Sequence, residues 1–588
     1  MGGEYGRAMA RVKQLIALFT LATLVLAACA SEPATEPSTP LTENRACDAE
    51  VPTVDLGVGS VCGVVYSNQY DLRSHAYLGI PYAQQPVADL RWKAPEPLDS
   101  LEGNPFTATK FGSECVQPSS ELSGYSGSEE CLFLNIYRPT DQAKTGLPVM
   151  VWIPGGGFIV GSGSEPVMNG TALANQDVIL VTMNYRLGAL GFLRYQGNSA
   201  AIDGNFAILD QQLAMKWVKD NIERFGGDAD KITLFGESAG SMSTGLHLFS
   251  VPDSNDLFRA AIMESNIMSV PYNTPEQSQE KGQSFVDLLC GAYSEDQSCP
   301  ADGQWLRSLS TRQIAQAQNL TFPAGGIGGL LVPGMRAGTT WNATINTKPV
   351  TGQPIQGFNE GSRPKPYVFG VNHNEGVFFL PASSTMTPEQ YEQAVVETFG
   401  VSLAGEIMAY SENGKRLYNP SGYEPLPVGG MTTASQALGQ LQTDYGVAAA
   451  NMKAASRALQ QLEKAGVSSF GYHFLQHSEF NFAGMERCNP PSENICHTTE
   501  MPYVFSNFLE KTAAGEFAPT DEVTDADRSL ADTMTQAWAN FAKNPEQGLG
   551  HPKLTNANSD EYVHWDTPVT TGNLIPKVRY DFWEPILP

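Results

Sequence analysis

Ile232-Thr233-Leu234-Phe235-Gly236-Glu237-Ser238-Ala239-Gly240 carries the sharpest structural signal in the chain. Four apolar or β-branched residues run into a G-x-S-x-G pentapeptide, and Ser241-Met242-Ser243-Thr244-Gly245-Leu246-His247-Leu248 follows with helical character. A chain passing from strand to helix in so few residues must bend sharply. Glycines flanking the serine remove the side chains that would collide there and leave the hydroxyl exposed. In a chain with 56 glycines the pentapeptide alone is a weak signal, and its strand–turn–helix setting is what raises it.

Outward from that turn, short apolar runs alternate with helical patterns. Val149–Ile153, Val178–Val181, Ala260–Met263, Tyr367–Phe369 and Phe470–Phe474 read as strands, the first two continuous enough to be buried on both faces. Between them, Phe206 to Ile222 repeats apolar residues at 206, 209, 213 and 217 and at 214, 218 and 222, an amphipathic helix. The alternation predicts an α/β fold around a mostly parallel sheet. The length of 588 residues allows several domains, but no linker-like stretch or repeat divides the body, which reads as one large catalytic domain over 47–588.

A serine needs a base to take its proton. On sheets with such an elbow the partners follow in the order Ser, Asp/Glu, His, on loops after later strands. Of eight histidines, His75 precedes the serine and His247 lies too close to it. His497 lies in a loop after the Phe470 strand, in Cys496-His497-Thr498-Thr499-Glu500, where a Cys488–Cys496 bridge would hold the imidazole in place. His473 and His477 are rivals within or at the end of the strand pattern. Glu375, in the polar turn Asn372-His373-Asn374-Glu375-Gly376 directly after an apolar strand, is the candidate acid that orients His497. Gly155-Gly156-Gly157 follows the Val149–Ile153 strand, where successive glycines let backbone N–H groups point at a developing oxyanion.

The N-terminus carries a different message. Arg7, Arg11 and Lys13 precede the apolar run Leu15 to Ala28, and small residues follow, the pattern of a secretory signal peptide over 1–28. The run ends Leu26-Ala27-Ala28-Cys29, which resembles the lipobox of bacterial lipoproteins, with Cys29 as the acylated residue. Residues 29–46, rich in Pro, Ser and Thr, read as a flexible tether behind that anchor. The expected location is therefore the bacterial cell envelope, with membrane contact through Cys29. The remaining cysteines, Cys47, Cys62, Cys115, Cys131, Cys290, Cys299, Cys488 and Cys496, fall into four sequence-local pairs. An even count in an exported protein predicts disulfides, with nearest-neighbour pairing one of about a hundred connectivities.

The formal charge is -26, from 36 Lys and Arg against 62 Asp and Glu. Residues 1–28 hold three of the bases and one of the acids, so the rest carries -28. Such acidity excludes a nucleic-acid partner. No metal-binding or cofactor motif occurs, and none is required.

Gly79-Ile80-Pro81-Tyr82-Ala83, Leu90-Arg91-Trp92, Ser128-Glu129-Glu130-Cys131-Leu132-Phe133-Leu134-Asn135-Ile136, Trp152-Ile153-Pro154-Gly155-Gly156-Gly157-Phe158, Asn184-Tyr185-Arg186-Leu187-Gly188, Asn374-Glu375-Gly376 and His497-Thr498-Thr499-Glu500 join the elbow in one resemblance. From about Cys62 to Trp583 the chain is similar to type-B carboxylesterases of the cholinesterase-like α/β-hydrolase family. The resemblance implies hydrolysis of small-molecule carboxylic esters through an acyl-enzyme. It implies a Ser238/His497/Glu375 triad, an oxyanion hole from the N–H groups of Gly156, Gly157 and Ala239, and no cofactor. It further implies bridges Cys115–Cys131 and Cys290–Cys299, an ion pair between Arg91 and Glu130, and Glu237 as a buried acidic neighbour of the serine outside the triad. Pro154 departs from the His or Tyr common before the three glycines and predicts a stiffer loop. Between Cys115 and Cys131 there is no tryptophan to hold a quaternary ammonium, only Tyr125, so choline specificity is not expected. The same fold includes catalytically inactive adhesion proteins, the alternative reading. Those lose the nucleophilic serine, which this chain keeps.

Overall fold

A computed structural model describes residues 46–588 apart from 120–123, 198–200, 295–301, 322–340, 381–385, 427–430, 481, 483–485, 489–491 and 512–516. The signal, the lipobox with Cys29, most of the tether, and Cys299 lie outside the described residues.

Eleven strands build the central sheet: β1 (Val64–Ser67), β2 (Arg73–Pro81), β3 (Phe133–Arg138), β4 (Leu147–Ile153), β5 (Ile179–Met183), β6 (Gly227–Glu237), β7 (Ala260–Glu264), β8 (Tyr367–Asn372), β9 (Ser469–Phe474), β10 (Tyr562–Trp565) and β11 (Thr570–Gly572). Their spatial order is β11-β10-β9-β8-β7-β6-β4-β5-β3-β2-β1. The seven strands from β10 to β5 run parallel. β1, β2 and β3 at one edge and β11 at the other pair antiparallel. Every residue of β4, β5, β7, β8 and β9 is buried. That is why these segments read as unbroken apolar runs: a parallel sheet has helices on both faces and no wet side.

Period-two alternation splits the core between those faces. Val149, Val151 and Ile153 join one apolar cluster, with residues of α1 (Phe206–Asn221) and α2 (Ala239–Phe249). Met150 and Trp152 join the other. There Trp152 meets Phe235 edge-on, with ring centroids 4.8 Å apart, and Phe505 at 5.1 Å. Two further helices matter for the site: the single turn α3 (Glu375–Phe378) and α4 (Asp525–Lys543). α4 opens with a capping box in which Thr524 and Asp527 satisfy each other's end of the chain. The amphipathic helix predicted over 206–222 is α1, whose last residue gives way to a 3₁₀ turn at Ile222–Phe225. Among the described residues no helix is long and apolar enough to cross a membrane.

Three bridges join Cys47 to Cys62, Cys115 to Cys131, and Cys488 to Cys496. Cys290 is also disulfide-bonded. The ion pair expected between Arg91 and Glu130 is corrected. Arg91 makes a bidentate contact with Glu129, at 2.7 Å from Nε and 2.5 Å from Nη2, while Glu130 is exposed. The two glutamates are adjacent in a bend that follows the β-bridge between Cys115 and Ser128, and there the chain turns Glu129 inward and Glu130 to solvent. Arg91 also donates from Nη1 to the carbonyls of Arg307 and Leu309, so each of the three guanidinium nitrogens has an acceptor.

Candidate active site

β4 and β6 are neighbours in the sheet but not in the chain, because the connection through β5 leaves on one side and returns on the other. At such a reversal the loops leaving the two strands diverge and open a crevice at their C-terminal ends. Register places Trp152 beside Phe235 and Ile153 beside Gly236, so Pro154–Gly157 and the elbow leave the sheet side by side.

The elbow is tight. Ser238 sits at φ 55°, ψ -122°, a strained conformation for a residue with a side chain, and α2 starts directly after it. Its N–H donates to the Glu264 carbonyl at 3.0 Å, and its own carbonyl accepts from Met242 N–H at 2.8 Å. The flanking glycines are obligatory for a plain reason. A Cβ on Gly240 would lie 1.9 Å from the Ile153 carbonyl oxygen, and one on Gly236 would lie 2.6 Å from the same atom. Gly155 packs so closely under the serine that a Cβ there would meet the Glu237 carbonyl at 2.8 Å and Ser238 Cβ at 3.2 Å. Beyond it the loop turns with Gly156 at φ 105° and Gly157 at φ 62°. The N–H groups of Ile159 and Val160 both donate to the Gly156 carbonyl, and Tyr185 donates its hydroxyl to the Pro154 carbonyl at 2.9 Å. Among the described residues no hydrogen bond occupies the N–H of Gly156, Gly157 or Ala239.

His497 is 1% exposed, and its Nδ1 lies 2.5 Å from Oε2 of the fully buried Glu375. Its Nε2 stands 3.0 Å from Glu237 Oε1 in a geometry that closes no hydrogen bond. The rings of Phe379 and Phe378 flank the imidazole at centroid distances of 4.8 and 5.5 Å. The rivals are engaged elsewhere: His473 Nε2 faces His373 Nδ1 at 3.3 Å, and His477 Nε2 donates to the Ser492 carbonyl at 2.8 Å.

Behind the pair lies a set of partners that the sequence reading did not single out. Ser265 Oγ is 2.6 Å from Glu375 Oε1 and 2.9 Å from Glu500 Oε1. The Asn372 N–H donates to Glu375 Oε1 at 2.7 Å, and the Asn372 side-chain amide donates to Glu500 Oε2 and, at 2.9 Å, to the Cys496 carbonyl. A hydroxyl carries one proton, so both Ser265 contacts are hydrogen bonds only when one carboxyl brings its own. Glu500 supplies it: burial, then the charge of Glu375, pushes its pKa up to about 7. A signal for these residues was present, since Ser265 follows β7 where Ser238 follows β6, and Glu500 lies three residues beyond His497.

Four carboxylates, Glu237, Glu264, Glu375 and Glu500, are buried in this region. Burial raises the pKa of Glu237 and of Glu264 well above the usual carboxylate range. Glu264 accepts the Trp538 indole N–H from α4 at 2.7 Å. On His497, burial favours the neutral ring, but Glu237 and Glu375 outweigh it and hold the imidazolium up to about pH 9. So many acids cannot all be charged around one imidazole. When Glu237 and Glu500 carry protons, their pull on His497 disappears and the ring is free to act as a base nearer neutrality. Among the described residues no group of three or more His, Cys, Asp or Glu side chains is placed to hold a metal ion.

The fold with this crevice is that of an α/β-hydrolase. The carboxylesterase family profile matches residues 50–583, and the chain belongs to that family as a carboxylic ester hydrolase. It is 34% identical over 504 residues to the para-nitrobenzyl esterase of Bacillus subtilis (strain 168), covering 84% of this chain and 88% of that protein. To the cholinesterase of Mus musculus it is 31% identical over 512 residues, covering 82% and 76% of the two chains. The solved structure of a PNB esterase superposes with a TM-score of 0.70 at 29% identity, over 90% of this chain and 99% of that one.

Proposed function

We propose that the chain cleaves small-molecule carboxylic esters through an acyl-enzyme on Ser238. His497 Nε2 takes the proton from Ser238 Oγ as that oxygen attacks the ester carbonyl. Glu375 holds Nδ1–H and stabilises the imidazolium that forms. The carbonyl oxygen becomes an oxyanion held by the N–H groups of Gly156, Gly157 and Ala239. His497 then returns the proton to the leaving alcohol, and a water molecule repeats the sequence to release the acid and restore the serine. Glu237 tunes the imidazole and takes no part in the triad. The observation that supports this reading is the sealed His497–Glu375 contact, with Nε2 turned toward the strained elbow, 3.0 Å from Glu237 Oε1 and in no hydrogen bond.

The test is covalent labelling. A fluorophosphonate should add once per chain, at Ser238 by peptide mapping, and Ser238→Ala should take up none. Labelling at another residue, or none on the wild-type protein, contradicts the reading, and the latter favours a non-catalytic surface protein.

We further propose that the enzyme is exported to the bacterial cell envelope, with Cys29 acylated and residues 29–46 as its tether. The leader Arg7–Cys29 and the disulfides, which form in oxidising compartments, support this. Metabolic labelling with an alkynyl fatty acid, lost in Cys29→Ser, tests it.

A further inference from the structure

Arg487 lies outside the chemistry just described, yet its guanidinium reaches the turn that carries the triad acid. Nε donates to the Val377 carbonyl at 3.0 Å, and Nη2 donates to the carbonyls of Phe378 at 3.2 Å and Leu380 at 2.6 Å. These carbonyls close the single turn α3, which Glu375 opens. A cation there adds hydrogen bonds to carbonyls at a helix end, of which that of Val377 also accepts the Leu380 N–H at 3.3 Å. The residue is only 9% exposed, so the contacts form away from competing water.

The next residue in the chain ties this clamp to the base. Cys488 is bonded to Cys496, and Cys496 precedes His497. From inside the bridged loop, Ser492 Oγ at 2.6 Å and the Asn494 side-chain amide at 2.9 Å donate to the Arg487 carbonyl just outside it. The loop's far end is stitched to the acid's turn: Asn374 N–H donates to the Ile495 carbonyl at 2.8 Å, and Ile495 N–H donates to Asn374 Oδ1 at 3.0 Å. Arg487 and Ile495 therefore grip the turn Asn374–Leu380 at its two ends. Phe378 and Phe379, whose rings flank the imidazole, lie between the two grips.

We infer that Arg487 is a positioning residue for ester hydrolysis: it holds the Glu375 turn and its two phenylalanines against His497, with the Cys488–Cys496 bridge linking clamp to base. This rests on the triad proposed above. Catalysis by a triad requires its members held to within a fraction of an ångström, and a displacement of about 1 Å costs on the order of 100-fold.

The experiment compares wild type with Arg487→Met, Arg487→Lys and Arg487→Gly on p-nitrophenyl acetate. Each preparation is titrated with a fluorophosphonate so that kcat is counted per competent site. Arg487→Met should lower kcat about 10- to 100-fold while KM stays within about twofold, since the clamp touches the triad and not the ester. Lysine, a point charge that cannot span three carbonyls, should recover only part of that loss. Added ethylguanidinium should restore kcat to Arg487→Gly. If Arg487→Met does not fold, a lowered kcat for Arg487→Lys supports the clamp. Wild-type kcat per titrated site in the Met or Lys variant, with only the melting temperature lowered, overturns it. The two proposals fail separately: an active Ser238→Ala removes the triad, whereas an inactive Ser238→Ala beside a fully active Arg487→Met removes only the clamp.

Discussion

His497 Nδ1 lies 2.5 Å from Glu375 Oε2, joined across 122 residues of sequence, with the imidazole 1% and the carboxylate 0% exposed. Burial of that kind requires every remaining lone pair to be answered, and on Glu375 the answer comes from the Asn372 N–H and the Ser265 hydroxyl. The carboxylate is thereby fixed in the orientation that selects the Nδ1–H tautomer of His497 and leaves Nε2 as the basic nitrogen.

Glu375→Gln keeps the shape but offers an amide that can present its N–H to the ring. The wrong tautomer is then favoured, and kcat should fall about 10⁴-fold with little change in the melting temperature. Stopped assays on p-nitrophenyl acetate measure it, and a loss below tenfold contradicts the assigned role.

Glu237→Gln should move the acid limb of the pH–rate profile. His497 is a base only when neutral; its protonation is coupled to ionisation of Glu237, because each charge favours the other, so the imidazolium faces a Glu237 carboxylate. Removing that charge lowers the imidazole pKa, so the acid limb of kcat/KM moves to lower pH. A limb that stays in place or moves to higher pH contradicts the electrostatic assignment.

The bidentate pair of Arg91 and Glu129 is buried, with side chains 8% and 6% exposed. Truncating one partner leaves a charge without compensation, so Glu129→Ala should cost about 3–5 kcal/mol in urea unfolding. Glu130→Ala, one residue on and exposed, should stay within about 0.5 kcal/mol. Equal effects at the two positions would contradict the pairing.

Acid stability should depend on His247. Its ring is buried between Ser254 Oγ at 2.9 Å and Gln211 Oε1 at 3.0 Å, and burial lowers its pKa from 6.5 to about 3. The folded chain therefore keeps it neutral while the unfolded chain takes up a proton below about pH 6.5. Between that pH and about 3 the unfolded state binds more protons, and stability falls as pH falls, by about 1.4 kcal/mol per pH unit for this one group. His247→Gln should flatten the slope of unfolding free energy between pH 6.5 and 4.5. An unchanged slope contradicts a neutral His247.

Much of this was legible in the sequence because it is local or periodic. The elbow, the glycine loop and the strands β4 to β9 declare themselves through glycines that no other residue can replace and through apolar runs of parallel-sheet length. The contact between Glu375 and His497 was reachable from their order and their places after strands. The Ser265–Glu500–Asn372 network was not, because isolated polar residues become partners only when the sheet register sets the ends of β7 and β8 beside the histidine loop. The register error at Arg91 has a related origin. Two consecutive glutamates are equivalent as sequence, and only the path of the chain beside the Cys115–Cys131 bridge turns Glu129 inward.

Turnover of p-nitrophenyl acetate by folded Ser238→Ala measures whether Ser238 is the nucleophile of an acyl-enzyme. In that variant kcat should fall by about six orders of magnitude, to the level left by oxyanion stabilisation and binding alone. Wild-type turnover by that variant would contradict it.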